Sequence, residues 1–365
     1  MKSMAIFNNK GGVGKTTLTF HMAHALGEIG KKVLVIDLDP QCNFSIFALH
    51  ESAIEEIWRE EEEFVDQYQV AADMRTPQQM SQIVEKHRSI HFIMKPVEEG
   101  ISDPAYMPPT ISLASNVNLI PGRLSLHMYE DKISSRWAEV FVGDDLAIRT
   151  MTNIRSIAER YAAQISADIV LYDTSPSLGM LNRVTLSMAD AFVVPCNPDL
   201  FSLYGIKNIG RSLDSWSKNF GILRQVLPPS RQSLLPKSGV KFLGYTVYKA
   251  TRYAGQNEWN LATGHYNYAK QIPGTIDANI SADLRANLPH DLLNSPIGGE
   301  AIMHSHQTMA TMAQKYKVPM WLVPDCTLEA GDRSTIGGNA ARYRGTQAAY
   351  HTFAQDILDR LGAIG

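Results

Sequence analysis

The sequence predicts an α/β protein built on a doubly wound, mostly parallel sheet, and three observations carry that prediction. Short apolar runs without polar alternation recur at 4–7, 32–37, 168–173 and 191–195. The segments between them show helical spacing. The first connection is glycine-rich, "NNKGGVGKTT" at 8–17, and stands between a strand pattern and a helix pattern. Unalternated runs are the mark of strands covered on both faces, and strand–helix alternation is the mark of parallel pairing.

The first forty residues form one βαβ unit in this reading. A strand at Met4 to Phe7 leads through the glycine-rich turn into a helix over 15–29, closed by Gly30, and a second strand follows at Lys32 to Asp37. Strands three and four fall at Asp168 to Asp173 and Ala191 to Pro195, a fifth at Val240 to Val247 and a sixth at Val318 to Val323. Residues 51–66 hold eight acidic side chains against Arg59 alone, the pattern of a solvated helix face. Residues 226–298 are rich in Pro, Gly, Asn and Tyr and are expected to be an insertion in an otherwise single domain spanning 1–365. At the end, Tyr350, Phe353, Ala354, Ile357, Leu358 and Leu361 recur at intervals of three and four, an amphipathic helix whose apolar stripe suits core packing.

With 365 residues, 44% hydrophobic and 19% charged, the chain has the composition of a soluble globular protein. A net charge of −3 confines any nucleic-acid binding to a local patch. Cys42, Cys196 and Cys326 lie far apart with no CxxC pair, which argues against a disulfide framework, a zinc site or an iron–sulfur cluster within one subunit. The apolar run at the start is too short for a signal segment and no later run reaches membrane-spanning length, so a cytoplasmic location is expected.

The glycine-rich turn fits the phosphate-loop pattern GxxxxGK[ST] in the frame NKGGVGKT, with Asn9 in place of the first glycine. Backbone N–H groups of Gly11, Gly12, Val13, Gly14, Lys15 and Thr16, with Thr17 behind them, would cradle phosphates at a helix N-terminus. Lys15 would neutralise the terminal phosphates and the Thr16 hydroxyl would ligate Mg²⁺. One lysine suffices for that, and Lys10 is a second.

Residues 10–17, KGGVGKTT, form a deviant Walker A motif, and with it the chain resembles the ParA/MinD family of ATPases. "VIDLDPQCN" (35–43) is similar to the family's switch I segment, "IVLYDTSPSLG" (169–179) to its Walker B segment, "VVPCNPDLFSLYGI" (193–206) to the stretch near adenine, and "LVPDCTLEAG" (322–331) to a late IPRxxxLxEA segment. Pro40 and Gln41 place the likeness on the ParA side. The resemblance implies ATP and Mg²⁺ as cofactors, and a homodimer that sandwiches ATP, with Lys10 reaching across to the partner's phosphates as an arginine finger does. It also implies that Asp37 and Asp173 stand beside Mg²⁺, that Asp39 positions the attacking water, and that Pro195 and Pro198 shape the adenine loop. Each has a plainer reading: an aspartate at such a turn can simply cap it, and a proline often ends a strand without any ligand. Cys42 departs from the family's DPQGN, Ser175 from its DTPP, and Tyr248 from the Asn or Thr near adenine, which bears on exchange, hydrolysis and base choice.

The function implied is ATP hydrolysis coupled to dimerisation, non-specific DNA binding and the positioning of DNA or other cargo, with a stimulating ParB-like or adaptor partner and nucleoid association in the ATP state. Residues 201–252 favour the DNA part: Lys207, Arg211, Lys218, Arg224, Arg231, Lys237, Lys241, Lys249 and Arg252 face Asp214 alone. Arg211, Lys218 and Arg224 are the expected contacts. Scattered solubilising charge is the alternative for this span. For the whole protein, the competing readings are a membrane-surface ATPase of the MinD kind, against which the tail "FAQDILDRLGAIG" lacks a basic face, a cluster-carrying enzyme, and a specialised regulator acting through a protein partner.

Overall fold

The apolar runs become the interior of one seven-stranded sheet. The structure is a computed structural model that describes residues 1–102 and 106–364, with Ser230 and Arg231 described by backbone alone. Its strands are β1 (Lys2–Ile6), β2 (Val33–Asp37), β3 (Ile111–Ala114), β4 (Val117–Ile120), β5 (Ile169–Asp173), β6 (Ala191–Cys196) and β7 (Lys241–Val247), in the order β3-β4-β2-β5-β1-β6-β7. All neighbours pair in parallel except β3 with β4. Alternate residues feed two separate cores. Ala5, Leu34, Ile36, Val170 and Tyr172 face one layer of helices, while Met4, Ile6, Val33, Val35 and Leu171 face the other. The strands therefore show no polar face in sequence, because neither face meets water.

The helices up to the middle of the chain are α1 (Lys15–Glu28), α2 (Asn43–Ala48), α3 (Glu51–Asp66), α4 (Tyr68–Asp73), α5 (Pro77–Val84), α6 (Ile90–Glu98), α7 (His127–Arg136), α8 (Asp145–Ile165), α9 (Met180–Met188) and α10 (Leu200–Val226). The C-terminal helix, Ala340–Gly362, buries Tyr350, Phe353, Ala354, Ile357 and Leu361, the stripe that its spacing predicts. It packs in the same layer as α1, whose His21 ring stacks on Tyr350 at 5.0 Å.

Three expectations change. Val318 to Val323 is not a sixth strand: Met320–Asp325 is a 3₁₀ turn that starts behind Pro319 and contains Pro324, and two prolines so close together remove donors that a ladder needs. It packs on α1 instead, with Met320 N–H on His21 Nε2 at 3.1 Å and Trp321 Nε1 on Glu28 at 2.7 Å. The β3–β4 hairpin stands where the sequence pattern predicts no strand, because β3 is a half-exposed edge strand of four residues. The acidic helix α3 spans the expected residues, but its face is not wholly solvated. Glu61 is 1% exposed and accepts hydrogen bonds from the Ser89 amide and hydroxyl, both at 2.6 Å. A buried carboxylate is retained only when paired and hydrogen-bonded, and Arg123 supplies the charge.

The irregular span 226–298 contains β7, so the sheet's edge runs through it; Thr263–Ala269, Ile272–Asn279 and His290–Asn294 are short helices around that strand.

Candidate nucleotide site

The parallel order brings the C-terminal ends of β1, β2 and β5 side by side, and the polar residues follow directly from those ends. Ile6 on β1 and Asp37 on β2 both register with Asp173 on β5. The glycine-rich loop leaves β1 at this point and turns into α1, which starts at Lys15 behind Gly14 with no capping side chain and no acidic residue in its first turn. Its leading amides thus meet the loop without an internal competitor, the ready-made anion site of a helix N-terminus.

The loop is braced from several sides. Asn8 is buried and donates its Nδ2 to the Pro195 carbonyl at 2.8 Å, while its Oδ1 accepts the Lys10 amide at 2.9 Å. Lys15 curls under the loop, with Nζ on the carbonyls of Asn8 (3.0 Å) and Lys10 (3.3 Å). Burial pulls its ammonium down to about 8, against the upward pull of Asp173 and Asp39. Gly14 has φ +87°, and a Cβ there would come 2.5 Å from the ring of Tyr248, so the position is glycine on two counts. Tyr248 is buried under the loop with its hydroxyl on Tyr350 at 2.8 Å, and Lys249 donates to the Gly12 carbonyl at 3.1 Å. Tyr248 thus supports the loop.

The carboxylates sit one layer below. Thr16 Oγ1 donates to Asp173 Oδ2 at 2.8 Å and Thr19 to Asp173 Oδ1 at 3.1 Å. Asp37 accepts the amide and hydroxyl of Ser45 through Oδ2, at 2.8 and 2.6 Å. Burial first, and the neighbouring Asp37 charge second, push Asp173 up to about 8; burial, reinforced by Asp39 and opposed by the Ser45 hydrogen bonds, pushes Asp37 up to about 7. Two buried carboxylates in register on adjacent strands, with the Thr16 hydroxyl on Asp173, are the hard-oxygen donor set that fits Mg²⁺ completed by phosphate and water. Among the described residues no cluster of three or more His, Cys, Asp or Glu side chains is arranged to hold a metal by itself. Asp39 is 2% exposed and turns into its own loop, accepting Gln41 N–H at 3.0 Å and Asn43 Nδ2 at 2.7 Å.

The three departures have local explanations. Cys42 occupies the left-handed region at φ 55°, the conformation that favours glycine, and here it starts α2 with its thiol buried and its pKa raised by burial and the two aspartates. Ser175 shares a hydrogen-bond knot with Ser177 and Asn182. Tyr248 is the loop support described above.

Lys10 is held within its own chain. Its ammonium pairs with Asp199 and lies 5.6 Å from the centre of the Phe201 ring. Asp199 also caps α10 by accepting Ser202 N–H at 2.9 Å; although burial pushes its carboxyl up, Lys10 and Ser202 together hold it below its ordinary range. Asp199, Ser45 and Lys249 are absent from the sequence-derived nucleotide site, and Tyr248, which the sequence places near adenine, lies under Gly14 instead. Only the position of Asp199, straight after Pro198, offered a signal. Pro195 is buried in β6 and its carbonyl holds Asn8; Pro198 is buried in the following turn.

The basic span does not form one patch. Arg211, Lys218, Lys237 and Arg252 are exposed, but Lys249 lies on the phosphate loop while Lys241 starts the other end of β7 and donates to the Asp283 carbonyl at 2.6 Å. Arg224, expected as a DNA contact, is half-buried and donates to the Pro236 carbonyl. Arg231 lies outside the described side chains.

A central parallel sheet with this loop and these carboxylates defines a P-loop nucleotide-binding protein. The chain belongs to the AAA domain family AAA_31, whose profile matches residues 1–224, and it is a ParA-type member of the ParA/MinD ATPases. It is 27% identical over 209 residues to the sporulation initiation inhibitor protein Soj of Bacillus subtilis, covering 57% of this chain and 63% of Soj. It spans 52–63% of the length of the relatives from Methanocaldococcus jannaschii, Mycobacterium tuberculosis and Bacillus subtilis that it matches. Two solved structures share the fold over almost its whole length. An ATP complex of a variant of Cyanothece McdA has a TM-score of 0.58 at 16% identity, covering 98% of this chain and 96% of McdA. pNOB8 ParA bound to nonspecific DNA has a TM-score of 0.53 at 16% identity, covering 99% and 98%.

Proposed function

We propose that this protein is an ATP hydrolase that dimerises on ATP, binds DNA without sequence preference in that state, and positions DNA or another cargo, with hydrolysis stimulated by a ParB-like or adaptor partner. The observation that carries the reading is the convergence of Lys15, Thr16, Asp173, Asp37 and Asp39 at the ends of three adjacent strands, with Lys10 stored a side chain away on Asp199. Lys15 and the amides of Gly11 to Thr17 would hold the triphosphate. Thr16, Asp37 and Asp173 would hold Mg²⁺, which supplies charge neutralisation at the phosphates. Asp39 would orient water. Lys10 would exchange Asp199 for the phosphates of the second subunit, so that turnover waits for dimerisation. Exposed Arg211 and Lys218 would meet the DNA backbone, in a cytoplasmic protein associated with the nucleoid.

The test is binding to a random duplex in ADP, in ATP, and in ATP with Asp39→Ala, at two salt concentrations. Salt-sensitive binding confined to the two ATP conditions supports the reading. Equal binding in all three removes the ATP control of DNA binding, and no binding removes the DNA part; either leaves the ATPase.

A further inference from the structure

The acidic helix α3 lies away from the phosphate loop, yet it is linked through Gly122 and Ser45 to the Asp37 carboxylate. The Ser45 hydroxyl donates to Asp37 Oδ2 at 2.6 Å and accepts the Gly122 amide at 2.8 Å. The Gly122 carbonyl accepts the indole N–H of Trp58, on α3, at 3.1 Å. Next along the chain, Arg123 donates to the Trp58 carbonyl at 2.7 Å and pairs with Glu61 and Glu62 of the same helix. The contact at Gly122 is close: a Cβ there would lie 2.9 Å from Asp37 Oδ2 and 3.2 Å from Cys42 Sγ. Asp37 and Ser45 are both fully buried.

These bonds leave little freedom. A hydroxyl has a single proton, and with Gly122 N–H filling a lone pair, the Ser45 proton is directed at Asp37. A charged acceptor strengthens both Ser45 bonds. They take Oδ2, and among the described residues Oδ1 accepts the Asp39 amide at 3.2 Å, which leaves it the less committed oxygen for a cation. The orientation of this carboxylate is thus set by residues from three segments, the last of them anchored on α3.

We propose that Ser45 is the positioning residue for Asp37, and that Gly122 and Trp58 form an arm through which the acidic helix α3 senses a divalent cation held at Asp37. This rests on the reading of Asp37 as a Mg²⁺ ligand. Groups that orient metal-ligating carboxylates typically contribute about 10- to 100-fold to metal affinity.

The full chain is titrated with Mg²⁺ in the presence of a non-hydrolysable ATP analogue, reading tryptophan fluorescence and, by calorimetry, the Mg²⁺ midpoint. The wild-type fluorescence response is expected to be lost in Trp58→Phe. Ser45→Ala is expected to raise the midpoint about 10- to 100-fold while leaving Mg²⁺-free analogue binding unchanged, and Ser45→Thr, which keeps the hydroxyl, is expected to restore it. Trp58→Phe should shift the midpoint in the same direction and by less, which keeps the test open if Ser45→Ala does not fold. Equal midpoints in wild type, Ser45→Ala and Trp58→Phe overturn the proposal alone. A wild type whose analogue binding ignores Mg²⁺ overturns the cation reading of Asp37 and this proposal with it.

Discussion

The phosphate loop and the basic span 201–252 are equally conspicuous as strings of letters, and they behave oppositely in three dimensions. The loop's ten residues occupy one strand end and one helix start, and its two lysines and the Thr16 hydroxyl all find partners within the site. The nine basic residues are carried by a long helix, a short helix, a strand and the loops on either side of it, and β7 separates Lys241 from Lys249 by its whole length. A local motif keeps its meaning because the backbone fixes its geometry over a few residues. A charge count keeps its meaning only if the fold happens to turn the charges to one side.

Substitutions in the loop test the first half of that contrast and should have the largest effects. Lys15→Ala is expected to remove nucleotide binding and hydrolysis together, by calorimetry and phosphate release; a variant with unchanged turnover would break the site assignment. Lys10→Ala should spare nucleotide binding and lower partner-stimulated turnover by about 10³-fold, the scale of a charge supplied to the transferring phosphoryl group. Asp199→Asn should leave binding intact and raise unstimulated turnover, since Lys10 loses the carboxylate that retains it.

The charge beneath the loop makes a second, intermediate prediction. The pKa values of Asp37 and Asp173 are raised in the folded chain to about 7 and about 8, so their contribution to stability is fully present below the ordinary carboxylate range near 4 and is lost as pH rises through 7 and 8. Lys15 has the opposite sign, lowered to about 8, so its cost is relieved only above that pH. The nucleotide-free protein should therefore melt at a lower temperature at pH 8 than at pH 5, and Mg²⁺ with ATP should shrink the difference. A pH-independent melting temperature would mean that these carboxylates already have a compensating charge.

The smallest effects belong to the basic span, and they sharpen the comparison residue by residue. Arg211→Ala and Lys218→Ala should each weaken random-duplex binding and reduce the salt slope by about 1. Arg224→Ala should leave that slope unchanged, because its guanidinium is already engaged with Pro236. Equal slopes for all three variants would show that the span acts as diffuse charge.

How much is legible can be followed on single residues. Five of the six strands that pair in parallel, together with α1, α3 and the C-terminal helix, are readable because burial on both faces, or along one stripe, leaves a mark in sequence. The β3–β4 hairpin leaves no such mark, and the late segment 318–323 looks like a strand until its prolines and Trp321 are placed against α1.

The sequence by itself determined the class of site: which residues can cradle phosphate, which hydroxyl and carboxylates can meet a cation, and that a second lysine stands beside them. These follow from chemistry carried within a few consecutive positions. Tertiary structure alone decided that Lys10 rests on Asp199, 189 residues away, that Tyr248 fills the space under Gly14, and that Trp58 is joined to Asp37 through Gly122 and Ser45. The reason is physical: each contact joins segments that follow different strands or lie on different helices, and the order of strands in the parallel sheet is what brings those segments together.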